Sequence, residues 1–455
     1  MTELYPFQAE DLPFFVENPR SVLWYQPRLG KTVVTCKTLV QALPKETLIV
    51  APKNALFVWR DHIQRIFQEG RPEAYVQVII VRGDAITRQF LWQSPRAEGY
   101  TCVFYIVTWN AYIRDFDLIN EFRHPDAVIN DEYHKFLKNR KNQGFELMEV
   151  TASKSWRYHA LSGTPAGKGK PQQFWPVLHI CDSSEFKSYW PFVEEYADLT
   201  KDLMGHYVIA GVKNGEVFRS MLHQHGRIRL RKQCAPWMPE VQRSLLSFEM
   251  TPLQEDLYNS LVGKQFYWVN EEEGQLVVAA TSMEKILRAR QALVCPQVLG
   301  VNDPGGAIVQ LADTLEDSDD EMGKHTVIFT PFTQALPYFA RYLGSRGFDN
   351  VGILQGGMEP EDLHARIDTF QSGKGIILCS TKYAQAFSLA GPEACYHIGY
   401  EWDPDDNTQA EDRLVPQQGE NPILSQYFTA NSTIDDLLCE AVTIKQRNIN
   451  VMLGS

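Results

Sequence analysis

Residues 21–32 read SVLWYQPRLGKT. A mostly apolar run to Tyr25 passes through Pro27-Arg28-Leu29 into Gly30-Lys31-Thr32, and residues 32–43 then have the spacing of an amphipathic helix. A strand that turns into a helix over glycine offers backbone N–H groups and the helix's positive end to an anion. In that setting Lys31 suits the β- and γ-phosphates of a nucleotide and Thr32 suits Mg2+, with Arg28 and Gly30 lining the loop. Gly-Lys-Thr alone is equally compatible with an ordinary helix start. The full phosphate-loop pattern, moreover, has glycine where this chain has Arg28.

The flanking sequence repeats the strand-then-helix alternation. Apolar runs recur as TLIVAP (47–52), VQVIIV (76–81), YTCVFYIVTW (100–109), DAVIND (126–131) and YHALSGTP (158–165), with amphipathic stretches between several of them. Fully apolar strands alternating with helices indicate a parallel sheet covered on both faces. The second half repeats the pattern with HTVIFTPF (325–332), NVGILQGG (350–357), GKGIILCST (373–381), EACYHIGYEWD (393–403) and ILSQYFTA (423–430). The expected fold is therefore α/β, with two parallel-sheet lobes in tandem: residues 1–180, then helical insertions and a linker over 181–320, then residues 321–455.

Ligands of open parallel sheets bind at the carboxyl ends of the strands, which makes the residues there the candidates for chemistry. DAVIND ends on Asp131-Glu132-Tyr133-His134. Paired carboxylates after an apolar strand suit a Mg2+ ligand, Asp131, and a group that polarises water, Glu132. An acid-stabilised helix start is the plain alternative. Ser162-Gly163-Thr164-Pro165 follows the next strand, and its hydroxyls suit coupling of nucleotide state to the rest of the molecule, although Gly-Thr-Pro is also a common turn. Three such signals in order, each after a predicted strand, are far less expected by chance than any one.

Composition narrows the classes. With 455 residues, 44% of them hydrophobic, the chain can build two or three cores. The formal charge of −12 argues against a protein that coats nucleic acid, but allows a local basic track. Acidity concentrates in residues 313–321 and 271–273. Basic clusters lie at Lys135, Lys138, Arg140 and Lys141, and at Arg227, Arg229, Arg231 and Lys232, either of which could be no more than a solvated face. The eight cysteines form no C-x-x-C pair, so buried thiols are expected in place of a zinc site or disulfide framework. No apolar run reaches membrane-spanning length and MTELYPFQAEDLPFF lacks a basic signal region, from which a cytoplasmic location and no membrane partner are expected.

Taken together, the motifs resemble superfamily-two helicases, and more closely their Swi/Snf-type branch. The resemblance continues in Leu4-Tyr5-Pro6-Phe7-Gln8, where Gln8 matches the adenine-reading glutamine. It continues also in Ile49-Val50-Ala51-Pro52 through Val58-Trp59, in Arg229-Leu230-Arg231-Lys232, and in residues 248–258 and 287–296. In the second half, Gln355-Gly356-Gly357 with Arg366 and Phe370, Trp402-Asp403-Pro404, and Gln409-Ala410-Glu411-Asp412-Arg413 match further signatures. The resemblance implies two RecA-like lobes and ATP and Mg2+ as cofactors. It implies catalytic roles for Lys31, Asp131, Glu132 and Arg413, and coupling roles for His134, Ser162, Thr164 and Gln409. Nucleic-acid contacts are implied at Lys53, Arg229, Arg231, Lys232, Ser380 and Thr381.

Two further departures stand out. Residues 381–389 are bulky where the family has a Gly-rich segment, and Pro416 stands where a second arginine of the last signature is expected. What the resemblance implies for function is an ATP-dependent DNA helicase or translocase, a compact protein of viral or bacterial type acting in a bacterial or virus-infected cytosol. Its DNA is expected to be duplex, forked or junction, with single strands also possible, in replication, recombination or repair. With so little length beyond the two lobes, a nucleosome remodeller is not expected. An RNA helicase and an ATPase-deficient DNA-binding module are the alternatives.

Overall fold

The structure, a computed structural model, describes residues 3–94, 99–137, 139–165, 169–201, 207–264, 266–270, 275–278, 281–317, 325–372, 375–385, 387–392, 394–416, 418–419 and 421–454. Lys138, residues 271–273 and residues 318–321, which belong to the charge clusters read from the sequence, lie outside them. The chain divides into two compact units, Met1–Ala235 with Lys445–Ser455, and Pro236–Ile444.

In the first unit the strands are β1 (Arg20–Tyr25), β2 (Glu46–Ala51), β3 (Val76–Val81), β4 (Cys102–Thr108), β5 (Ala127–Asp131), β6 (Arg157–Leu161), β7 (Ala197–Lys201), β8 (Tyr207–Val212) and β9 (Gly226–Arg229). All but β7 and β8 make one seven-stranded sheet in the order β3-β4-β2-β5-β6-β1-β9, parallel throughout. Strands β7 and β8 form an antiparallel hairpin. The strand interiors are buried, as near-continuous Val, Ile, Leu and aromatic runs require when helices cover both faces. Trp24, Trp92, Tyr105 and Tyr158 are among the large side chains in this core.

The second unit contains β10 (Val241–Phe248), β11 (Phe266–Asn270), β12 (Gln275–Val278), β13 (His325–Thr330), β14 (Val351–Leu354), β15 (Gly375–Ser380), β16 (Ala394–Ile398) and β17 (Ile423–Ala430). Six of them form a second sheet, β10-β17-β16-β13-β15-β14, again parallel. Strands β11 and β12 pair as a separate antiparallel hairpin.

The α/β fold of two parallel sheets matches expectation, and the stretch expected as helical insertions and linker also supplies a strand to each sheet. Within residues 181–320, β9 completes the first sheet beside β1 and β10 forms an edge of the second beside β17. Strand β9 alternates polar with apolar residues, as in Arg227-Ile228-Arg229, and β10 carries Gln242-Arg243-Ser244 on a largely exposed stretch; both suit the outermost strand of a sheet and escape a search for apolar runs. All eight cysteines are free, and Cys36, Cys102, Cys181, Cys295, Cys379 and Cys395 are buried. No helix among the described residues is long and apolar enough to cross a membrane.

Candidate nucleotide site and nucleic-acid surface

Topology brings the first three motifs to one edge. Because β5, β6 and β1 are adjacent and in parallel register, with Asp131 opposite Leu161 and Leu161 opposite Leu23, their carboxyl ends lie side by side. The residues following β3, β2, β5, β6, β1 and β9 are Arg82, Lys53, the Asp131-Glu132 corner, Ser162-Thr164, the phosphate loop and residues 230–232. They occur along the edge in that order.

The phosphate loop leads into the helix Lys31–Ala42, capped by Gly30 in the left-handed region at φ 75°. A Cβ at Gly30 would meet Gln8 Nε2 at 2.4 Å, so any side chain there would have to displace Gln8 as well as hold a left-handed backbone. Gln8 is buried and donates from Nε2 to the Leu29 carbonyl at 2.9 Å, while its Oε1 accepts from Tyr5 N–H at 2.9 Å. The residue expected to read adenine is thus also the strut between the first helix, Pro6–Glu17, and the loop. Arg28 has φ 68°, the left-handed conformation for which the full phosphate-loop pattern supplies glycine. An L residue held there costs roughly 1–2 kcal/mol, partly offset by the lower chain entropy it loses relative to glycine. Arg28→Gly is expected to raise stability by a few tenths to about 1 kcal/mol, read as a higher thermal midpoint. A lower midpoint would mean that the Arg28 side chain's contacts outweigh the backbone relief.

Lys31 opens the helix, its Nζ 3.2 Å from the Tyr25 carbonyl and 3.8 Å from Glu132 Oε1. Gly163 closes the other side, since a Cβ there would stand 3.0 Å from Lys31 Nζ. Asp131 ends β5 and is buried, and its Oδ2 accepts from the Trp59 indole N–H at 2.9 Å. Burial first, and the neighbouring Glu132 second, push the Asp131 carboxyl above its ordinary range. Glu132 turns the chain in the left-handed region, at φ 49°, into the short helix Tyr133–Phe136. Burial works against its charge, yet Lys31, His134, Lys135 and the Gly163 backbone N–H outweigh it and hold its carboxyl below the usual range. The corner therefore holds a charged carboxylate beside an ammonium.

His134 bonds through Nδ1 to Ser162 Oγ at 2.8 Å, and its Nε2 lies 3.5 Å from Thr164 Oγ1. Its Nδ1 is also 3.4 Å from Glu132 Oε2, but with the hydroxyl nearer, that oxygen has no hydrogen-bond partner among the described residues. A buried, unsatisfied, charged acceptor next to a lysine fits a polarised water at a phosphate. Asp131 and the Thr32 hydroxyl fit Mg2+, which uses few protein ligands and keeps several waters.

The family description SNF2-related domain matches residues 18–298, more than half of the chain. The chain belongs to the SNF2-related domain family. This SNF2-related chain is 22% identical to Protein CHROMATIN REMODELING 5 of Arabidopsis thaliana, over 96% of its own length and 26% of that protein's. It is 22% identical to SWI/SNF-related matrix-associated actin-dependent regulator of chromatin subfamily A member 1 of Mus musculus, over 93% of its own length and 40% of that protein's. It spans well under half of such relatives. Among solved structures it is similar to the Sulfolobus solfataricus SWI2/SNF2 ATPase core in complex with dsDNA, at 19% identity and a TM-score of 0.43, over 99% of this chain and 94% of that one.

The expected nucleic-acid residues of the SNF2-related chain fall into three environments. Lys53 is exposed in the turn Lys53–Ala55 after β2, and Lys232 is exposed after β9. Arg229 is instead engaged internally: it donates to both Asp11 oxygens, at 2.7 and 2.5 Å, and to Glu10 at 2.8 Å. The same Asp11 accepts from Tyr25 OH, so this arginine ties the first helix to β1 and β9. The Arg231 backbone N–H donates to Gln26 Oε1, just ahead of the phosphate loop. Ser380 and Thr381, expected at nucleic acid, are both buried. Ser380 caps the short helix Thr381–Ala384 through Tyr383 N–H, and Tyr383 packs against Phe387, so the bulky residues that replace the Gly-rich segment make a small helix and close the strand end.

Beyond the sequence reading, the structure adds Phe57, exposed, with the guanidinium groups of Arg60 and Arg82 over its ring at 4.9 and 5.1 Å. Arg82 directly follows β3 and Phe57 the turn that carries Lys53, so they extend the same edge of the sheet. The only sequence signal was the nearness of Phe57 and Arg60 to the segment ending at Trp59. In the second unit, Asp403 caps and Pro404 begins the helix Pro404–Asp412, which accounts for the Asp-Pro of the Trp-Asp-Pro signature. Glu411, fully buried on that helix, accepts from Arg243 Nε at 2.9 Å, Ser425 Oγ at 2.5 Å and Tyr427 OH at 2.8 Å.

Proposed function

We propose that this chain is a DNA-dependent ATPase that uses ATP hydrolysis to translocate on DNA. The observation that carries this is the Lys31–Glu132 pair at 3.8 Å, with Asp131 and the His134–Ser162 bond beside it, on one sheet edge of an SNF2-related chain. Lys31 meets the β- and γ-phosphates at the start of its helix. Asp131 and Thr32 hold Mg2+, which neutralises phosphate charge when bound. Glu132, kept ionised by Lys31, orients the attacking water with its unsatisfied oxygen and takes up its proton. His134 passes the state of that corner to Ser162 and Thr164, and the resemblance to the family assigns Gln409 and Arg413 to the same reaction. Glu132→Gln is expected to bind nucleotide and to turn over at least about 10²-fold more slowly, since the amide keeps the shape and loses the base. Binding with near wild-type turnover would remove Glu132 from this role.

DNA is held by charge, through Lys53, Arg60, Arg82 and Lys232, so affinity should fall with rising salt for every sequence alike. Lys53→Ala with Arg82→Ala is expected to weaken duplex binding and flatten its salt dependence; an altered base preference would contradict a backbone-contact role. The finer reading is that the protein unwinds or branch-migrates forked or junction DNA in replication, recombination or repair. Phosphate release measured alone and with single-stranded, duplex, forked and junction DNA and with RNA tests it. Greatest stimulation by forks or junctions supports it, and stimulation by RNA alone replaces it with an RNA helicase. No phosphate release with any of them leaves an ATPase-deficient binding module.

A further inference from the structure

We propose that Trp59 is a positioning residue that fixes the carboxylate of Asp131 and ties it to the surface helix start carrying Phe57 and Arg60. The proposal rests on the reading of Asp131 as the Mg2+ ligand. Trp59 belongs to the helix Leu56–Gly70 and is wholly buried, and its indole N–H donates to Asp131 Oδ2 at 2.9 Å. A buried indole N–H needs an acceptor, and a carboxylate makes the bond charge-assisted and short. The pairing follows from the sheet: β2 lies beside β5 with Val50 opposite Asn130, so the start of the helix entered from β2 stands near the end of β5 before the helix runs back over β4 toward β3. One oxygen of Asp131 is thereby held, which orients the other. Outer partners of this kind commonly change metal affinity by about 10- to 100-fold when lost.

The same stretch reaches the surface. Phe57 and Val58, immediately before Trp59, are 41% and 46% exposed, and the Arg60 guanidinium lies over Phe57. Residues 57, 58 and 60 thus face outward while residue 59 points to the metal-binding carboxylate. A polyanion that shifts Lys53 and Arg60 moves the donor of Asp131 with them, a direct route for DNA to stimulate hydrolysis.

The test compares Trp59→Phe, which keeps most of the bulk without a donor, with Trp59→His, which keeps a ring donor with less bulk, in the full chain. Binding of a fluorescent ADP is titrated with Mg2+ and in EDTA, and phosphate release is measured with and without duplex DNA. In Trp59→Phe, binding in EDTA should stay at the wild-type level, the gain in affinity from Mg2+ should fall about tenfold, and stimulation by DNA should fall more than the basal rate. Trp59→His should retain more of the Mg2+ response than Trp59→Phe; a packing role predicts the reverse order, which would overturn the proposal. If Trp59→Phe does not fold, the His variant decides alone: a wild-type Mg2+ response supports the donor role and its loss overturns it. An undiminished Mg2+ response in Trp59→Phe sinks the proposal while leaving the nucleotide site intact. Wild-type protein whose nucleotide binding ignores Mg2+ would instead overturn the reading of Asp131 on which it rests.

Discussion

Lys31→Ala is expected to lower DNA-stimulated phosphate release by at least about 10²- to 10³-fold, the loss typical when a donor to developing phosphate or oxyanion charge is removed. Its ammonium is boxed between the Tyr25 carbonyl at 3.2 Å and Glu132 at 3.8 Å, with Gly163 so close that even a methyl there would touch it. A water taking the place of the side chain carries no charge. The substitution also removes the largest influence holding Glu132 ionised, so the buried carboxylate moves toward the protonated state that cannot accept a proton from water. Two steps fail together, which is why the effect should exceed that of losing a single donor. DNA binding should largely survive, because the proposed contacts at Lys53, Arg60 and Arg82 lie along the sheet edge beyond β5. Phosphate release and duplex binding measured on the same preparation check both parts, and turnover close to wild type would remove the phosphate-loop assignment.

Arg413→Ala is expected to cost at least about two orders of magnitude in DNA-stimulated turnover, with nucleotide binding mostly kept. A full arginine finger is worth roughly 10³ to 10⁵ in rate. Pro416, where the partner arginine is expected, has neither charge nor donor. What remains we assign to Arg413 on the family signature. It directly follows the helix Pro404–Asp412, whose start is set by the Asp403 cap and whose end is pinned through Glu411 to Arg243, Ser425 and Tyr427. Its carbonyl also accepts from Leu389 N–H at 2.9 Å, so the backbone that carries the guanidinium is held from several sides. Arg366, the other candidate, donates to the Ile353 carbonyl on the outer strand β14, at 2.7 Å. Arg366→Ala should accordingly loosen that edge and leave turnover within a few-fold of wild type. Steady-state hydrolysis and nucleotide binding on both variants decide between them, and a near wild-type rate in Arg413→Ala would exclude it as the finger.

Much of the fold was legible locally. A buried parallel strand must be apolar on both faces, so β1, β2, β4, β5 and β6, and β13, β15 and β16, announce themselves as short Val-, Ile- and aromatic-rich runs. The residues that end them, Lys31, Asp131, Glu132 and Ser162, mark a candidate site because strand ends are where such sheets bind ligands. Strands β9 and β10 were not legible, since outer strands open to water carry polar residues, Arg227 and Arg229 in one and Gln242, Arg243 and Ser244 in the other, and so resemble linker. Nor could sequence say which polar groups would meet. Trp59 and Asp131 are 72 residues apart, Arg243 and Glu411 are 168 apart, and Asp11 and Arg229 are 218 apart. Those pairings come from the order and register of strands, which carry distant residues to the same edge. The sequence alone thus determined the two sheets and the residue types at their ends. Tertiary structure alone decided that Arg229 is spent on Asp11, that Ser380 and Thr381 are buried, that Arg28 occupies a glycine's conformation, and that Asp131 is held by an indole, because burial and partnership are properties of packing and not of local pattern.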